Sequence, residues 1–399
     1  MSNPILADLP QPNTRLSTKS SRDRRSARKR RLPPGQRLIL YCLIAGVISL
    51  ILGNSLPAGN SYTSHIWQRP LVAVEPPFTA ACALDKVRDE LAKVSDLKNL
   101  RTGIYAVRPD TGEYIDLNGK QSFAAASMIK TPVLVSLLVA IDRGELKQDQ
   151  QLTIRQDLIA GGSGFLQWRP CGTKLSLKET AELMIIFSDN TATNMIIDAL
   201  GGMERCNKDF AAFGLTQTRL NNWLADFDGT NKTSPYDLVY LLGRVDRGDL
   251  ISPAMREWMY RIFLKTRVRT LLPPGLPPGT LIAHKTGDIG SMVGDAGIVE
   301  AKDGTRYIVS VQVERPHNDR RANMLIRDLS KLIYEAFDTR AGAEPKMTQQ
   351  VAYKPPALSL YSFKAAPAQS FAVPAHRRQT RSHHKAYKKP RSTRHRKSH

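Results

Sequence analysis

Cysteine is scarce in this 399-residue sequence, with four in all. Cys42 lies in an apolar run, leaving Cys82, Cys171 and Cys206, an odd number with no C-x-x-C spacing among them. That pattern excludes a disulfide-framed scaffold and a thiolate metal site. One disulfide of unspecified pairing stays open, beside the reading of cysteine as a small buried apolar residue. Aromatic residues make up only 7% of the chain, and no base-stacking pattern accompanies its positive charge, which disfavours nucleic acid as a partner. No repeat period is visible. Long hydrophobic runs are absent except from Leu38 to Gly53.

What is present suffices for a sizeable core: 41% hydrophobic and 24% charged residues exclude a chain disordered throughout. The formal net charge of +22 is unevenly placed. Residues 1–37 hold ten Lys/Arg against two acids, and residues 341–399 hold thirteen against one, which leaves +2 for everything between. The basicity therefore belongs to two ends and the middle is nearly neutral. From Ala341 the composition turns to Pro, Ala, Ser and basic residues that cannot bury enough to fold alone, so 341–399 reads as a disordered basic tail. Its last part, His376 to His399, suits contact with anionic envelope polymers or lipid headgroups, or simply solvation.

The run from Leu38, extended to Ala58, approaches the ~20 residues of a membrane-spanning helix. Arg22, Arg24, Arg25, Arg28, Lys29, Arg30, Arg31 and Arg37 crowd its N-terminal side. The positive-inside bias then predicts a single-pass cell-membrane anchor over 38–58 with a cytoplasmic N-terminus. The remainder would be periplasmic or extracellular, reached through a linker at 59–83. A cleaved signal peptide is the rival, against which stand the long charged region and the poor cleavage site at Leu56-Pro57-Ala58.

The spacing predicts a helix over Asp85–Leu100, a hairpin from Thr102–Arg108 and Glu113–Leu117, and a helix opening near Ser127. A broken helix follows over Leu175–Leu200, then a loop-rich middle. Strands are expected at Leu281–His284, Met292–Val299 and Tyr307–Val313, with a closing helix at Ile326–Phe337. This pattern predicts an α+β domain over 84–340: an antiparallel sheet whose first and last strands meet, flanked by helices, with an all-α subdomain inserted.

Three short motifs carry chemistry. Ser127-Met128-Ile129-Lys130 places a hydroxyl and an amine three apart at a helix start, on one face. An unprotonated lysine there can take the proton that makes serine a nucleophile. Ser188-Asp189-Asn190 offers a second hydroxyl for proton relay and an amide for a substrate amide, although all three residues also suit a helix N-cap. Lys285-Thr286-Gly287 offers an ammonium and a hydroxyl to a carboxylate, and Gly287 leaves room for a substrate along a strand edge. Ser95–Lys98 and Ser382–Lys385 share the first spacing without a following apolar helix, and read as solvated residues.

S-x-x-K, S-D-N and K-T-G in this order resemble the class A β-lactamases and penicillin-binding proteins. The resemblance runs from about Leu84 to Phe337. It includes Gly164-Phe165-Leu166-Gln167, Glu182-Leu183-Met184 leading into Ser188-Asp189-Asn190-Thr191-Ala192-Thr193-Asn194, and Asp295-Ala296-Gly297-Ile298-Val299. It implies a β-lactamase/transpeptidase-like fold and an acyl-enzyme on Ser127, with Lys130 as base and Ser188 as relay. It further implies Asn190, Lys285, Thr286 and Gly287 at the substrate, and an oxyanion hole of the Ser127 and Asp288 backbone N–H groups. No metal or cofactor is implied, since side chains fill each role. The pattern breaks where that family carries a water-activating glutamate: the matching stretch is Trp223-Leu224-Ala225-Asp226-Phe227-Asp228, with Leu224 at the glutamate position. Asp226 and Asp228 are the candidate substitutes. The expected activity is hydrolysis of a β-lactam amide, with slow release if no base replaces the glutamate. The alternatives are a D,D-peptidase acting on peptidoglycan stem peptides and a non-catalytic envelope-binding protein.

Overall fold

The computed structural model describes residues 76–338 and 355–362. The anchor expected over 38–58 and the basic segments 1–37 and 376–399 lie outside the described residues. Among the described ones, no helix is long and apolar enough to cross a membrane. Cys82 and Cys171 are exposed thiols and Cys206 is a buried one, so these three form no disulfide.

In chain order the elements are β1 (Cys82–Ala83), α1 (Asp85–Ser95), β2 (Arg101–Val107), β3 (Glu113–Leu117) and β4 (Phe123–Ala124). A 3-10 turn at Ala126–Ile129 leads into α2 (Lys130–Asp142), followed by β5 (Gln151–Thr153), β6 (Lys174–Ser176), α3 (Leu177–Ile186) and α4 (Asn190–Ala199). Then come α5 (Met203–Ala212), β7 (Lys232–Thr233), α6 (Pro235–Arg247) and α7 (Pro253–Phe263). The chain closes with β8 (Leu281–Ile289), β9 (Met292–Glu300), β10 (Arg306–Glu314) and α8 (Arg321–Phe337).

The main sheet has the order β1-β3-β2-β10-β9-β8. As expected, the first long strand meets the last: Tyr105 pairs with Ser310 and Ile104 with Val311, antiparallel. The sheet is mixed rather than antiparallel throughout, because the two-residue β1 runs parallel to β3. Alternation along β10 sends Tyr307, Val309, Val311 and Val313 to one core with α8 residues Ile326, Leu329 and Ile333, while Ile308 joins the other. That second core holds the inserted helices. At its centre α2 buries every residue from Lys130 to Ala140, so its apolar surface runs all round.

The middle expected to be loop-rich instead contains α5, α6 and α7. The cues were local: Ser234 caps α6 by accepting from Asp237 N at 3.0 Å, Pro235 occupies its first turn, and Gly248 ends it in the left-handed region at φ 87°. Ser252 and Pro253 repeat that start for α7. β8 also runs five residues past the expected end, through Lys285-Thr286-Gly287 to Ile289. Polar residues continue a strand where, as for Lys285, the buried head group has a partner. Finally, part of the stretch expected to be disordered is docked: residues 355–362 form a turn in which Leu358 is fully buried.

Candidate active site

Ser127 sits in the 3-10 turn that feeds α2, and the preceding Ala126 is held at φ 43°. Ser188 is likewise held at φ 56°. Non-glycine residues pay for this backbone region, and here both bracket the same pair of hydroxyls. The turn is braced from behind by β8. A Cβ on Gly287 would lie 3.1 Å from Ala125 O, Ala126 Cβ and Met128 Cγ. Gly287 thus lets β8 pack closely against the nucleophile turn, in addition to the strand edge expected of it.

Lys130 is fully buried, and its Nζ lies 2.9 Å from Ser127 Oγ, 3.0 Å from Ser188 Oγ, 2.7 Å from Ser188 O and 2.8 Å from Asn190 Oδ1. Burial, with the nearby charge of Lys285, pushes its ammonium well below the ordinary lysine range, offset in part by Asp189. A neutral amine has one lone pair and two N–H groups. In that form the Ser188 carbonyl and Asn190 Oδ1 would accept the two N–H groups, leaving the lone pair for the Ser127 proton. Lys285 Nζ donates to Ser188 Oγ at 3.1 Å and to Thr286 O at 2.8 Å. Burial lowers its pKa to about 8, against the opposing pull of Asp295. Two lysines therefore converge on the Ser188 hydroxyl, one suited to accept a proton and one to bind an anion. Thr286 is buried beside them on β8, and the N–H of Asp288 follows on the same strand.

Asp189 turns its buried carboxylate away from this pair. It accepts from Phe165 N (2.7 Å), Leu166 N (2.9 Å) and Ala192 N (2.9 Å), capping α4 and tying the Ser188 turn to the 161–168 loop. Gly164, at φ 91°, is needed for that approach, since a Cβ there would lie 2.2 Å from the Asp189 carboxyl carbon. Asn190 completes the tie through Nδ2 to Gly161 O at 2.8 Å.

The 219–232 loop is closed by reciprocal bonds between Arg219 and Lys232 at 2.9 Å and by Asn231, whose Oδ1 accepts from Asn221 N and Asn222 N. Leu224 is buried, and the Asn194 amide clamps its backbone, receiving its N–H at 3.0 Å and donating to its carbonyl at 2.7 Å. Asp226 is also buried, and its carboxylate accepts from Thr230 N (3.0 Å), Thr230 Oγ1 (2.7 Å) and Asn231 N (2.7 Å). It braces the loop. Asp228 is exposed and lines a cavity of about 550 Å3 with Lys232, Ser291 and Arg315.

The structure thus gathers Ser127, Lys130, Ser188, Asn190 and Lys285 into one hydrogen-bonded network, and sets Asp226 and Asp228 in a separate loop. Sequence reasoning assigned no role to three contributors, although Asn194 and Asp295 lie in the stretches that carry the resemblance. Asn194 and Asn231 act through loop backbone that has no sequence signature. Asp295 on β9 accepts from His284 Nδ1 at 2.9 Å, both side chains being fully buried, and His284 is next to Lys285 in sequence.

The sequence model of the beta-lactamase enzyme family matches residues 86–337. A beta-lactamase of Streptomyces fradiae is 27% identical over 278 residues, spanning 66% of this chain and 90% of the relative. A beta-lactamase of Bacillus licheniformis is 25% identical, over 63% of this chain and 84% of the relative. Among solved structures, PBP-A is 45% identical with a TM-score of 0.63, covering 64% of this chain and 97% of that one. A leucine-to-glutamate mutant of PBP-A, solved as an acyl-enzyme complex with penicillin G, is 44% identical with the same TM-score and coverage.

Proposed function

The chain belongs to the beta-lactamase enzyme family, and from that premise we propose that it is an acylating serine enzyme with slow release, a D,D-peptidase-like protein trapped by penicillins. Neutral Lys130 takes the Ser127 proton as Oγ attacks the amide carbonyl. The oxyanion forms against the Ser127 and Asp288 N–H groups, where fixed donors meet charge that develops only in the transition state. The proton passes through Ser188 to the leaving nitrogen as the C–N bond breaks. Asn190 holds the substrate amide, and Lys285 with Thr286 holds its carboxylate. Water then cleaves the ester and regenerates Ser127.

The observation that carries the slow-release reading is Leu224. Its backbone is clamped by Asn194 at the position where a glutamate would activate water, and its side chain takes no proton. Rapid β-lactam hydrolysis is the competing reading, favoured by the names of the curated relatives. Asp226 or Asp228 would then have to supply the base. A stem peptide as substrate agrees with an envelope location, in which 38–58 anchors the chain and 376–399 meets anionic polymers.

The test is a time course of labelled penicillin on the full chain beside Ser127→Ala. A covalent adduct that needs Ser127 and persists for many minutes is the expected result. Loss of the adduct within seconds makes the protein a working β-lactamase. No adduct at all sinks acylation by penicillins.

A further inference from the structure

The described segment 355–362 lies beyond the family-matched residues and is separated from α8 by residues 338–354. It docks through specific chemistry. Leu358 is fully buried and joins the core that contains the inserted helices. Its N–H donates to Glu300 Oε2 at 2.9 Å, and Pro356 O accepts from Arg306 Nη2 at 2.9 Å. The Tyr361 ring packs 5.5 Å from that of Tyr260. Leu360, by contrast, is exposed, as expected when one apolar residue is the anchor and its neighbour faces water.

The receiving surface is built from four elements. Arg306 on β10 donates to Asp246 of α6 at 2.8 Å and to Glu300 of β9 at 3.0 Å, and the Tyr260 hydroxyl of α7 donates to Asp246. Two buried carboxylates share one guanidinium there, an arrangement that favours extra donors on the acids and extra acceptors on the arginine. The segment supplies one of each from its backbone.

We propose that this face is a peptide-recognition groove whose ligand is the chain's own 355–362 segment. The catalytic unit then ends in a docked clip, and the basic tail leaves from a fixed point on α7 and β9 rather than from Phe337. Tethering makes this workable at low intrinsic affinity. A linker of the length of 338–354 gives an effective concentration on the order of millimolar, so a groove of ~100 μM affinity is filled in about nine molecules of ten.

The experiment compares the full-length chain with full-length Leu358→Asp, each titrated with a fluorescent synthetic peptide of residues 353–364. A charge at Leu358 would weaken docking on the order of a hundredfold and vacate the groove. The variant is expected to bind the peptide, and the parent, whose groove is filled, to bind it at least ~10-fold more weakly. Retained penicillin acylation shows that the variant is folded. In the parent the Leu358 amide should exchange hydrogen about tenfold more slowly than in the free peptide. Equal binding by the two chains, binding by neither, or Leu358 exchange at the open-peptide rate overturns the proposal.

Discussion

The nucleophile's side of the cleft and the 219–232 loop are built with equal care and for different ends. Around Ser127 the amines and hydroxyls converge on one another: Lys130 on both serines, Lys285 on Ser188. In the loop the hydrogen bonds are as numerous, yet they run from side chain to backbone and hold the chain in place. One region is ordered to react, the other ordered to stay put. A loop held this firmly around Leu224 is a finished structure and not a decayed one, which agrees with the slow release proposed for the site.

The largest effect that tests this contrast is removal of the nucleophile. Ser127→Ala should abolish the covalent adduct, and Lys130→Ala should slow its formation by ~10^2 to 10^4-fold, the usual range for a lost general base. Both are read by mass spectrometry of the intact protein. If Lys130→Ala acylates at the parent rate, the buried amine is structural. Next is Leu224→Glu, which adds a carboxylate to a loop already fixed by Asn194. Release of penicillin should quicken on the order of a hundredfold while acylation changes little. Unchanged release would mean that the loop does not face the acyl bond, and the comparison between the two regions would lose its point.

A smaller effect probes the loop's rigidity. Asp226→Ala leaves Thr230 N and the buried Asn231 N without their acceptor, which should cost about 1–3 kcal/mol in denaturant unfolding. Acylation should persist. Equal loss of acylation would show that the loop helps to build the reactive side.

Titration probes the reactive side itself. Lys285 remains an ammonium below about pH 8, so KM for a carboxylate-bearing substrate should be flat there. Above that it should rise by up to about tenfold per unit as the charge is lost. The same lowering acts on stability: between about 8 and the ordinary lysine value the unfolded chain binds the extra proton, so stability should rise with pH across that window. A KM that stays flat to pH 10 would remove Lys285 from carboxylate binding.

Much of the reactive side was legible because it is written in consecutive residues. S-x-x-K fixes two groups on one helix face, and the apolar run after it forms the buried α2. The hairpin followed from the turn between two strand-like stretches, and the meeting of first and last strands from strands at both ends with helices between. The supporting side was hidden for physical reasons. Asn194, Asn231 and Asp226 act on backbone atoms, which no side-chain pattern announces. β8 looked finished at His284 because Lys285 and Thr286 are polar, whereas the buried Lys285 has a partner distant in sequence, Ser188. The helix α6 carries Leu238, Leu241, Leu242 and Val245 at helical spacing, yet it lies among glycines and prolines that suggested loops. Pro355-Pro356 likewise looked like tail, although Leu358 three residues from the first proline is wholly buried.

The smallest expected effect falls on Asp228, and it decides most sharply whether the loop is inert. Its carboxylate is exposed on a cavity wall shared with Lys232 and Arg315. An activated water must be held between a base and the ester carbon, and an exposed carboxylate near two cations exchanges its waters with bulk instead of fixing one. Arg315 is largely occupied by Asp288 and Asn323, so it does not pin Asp228 either. Asp228→Asn should therefore change the release rate by less than about twofold, below the general-base range. A fall of tenfold or more would place a working base four residues beyond Leu224. The loop would then belong with the reactive side, and the rival reading of rapid β-lactam hydrolysis would gain its missing group.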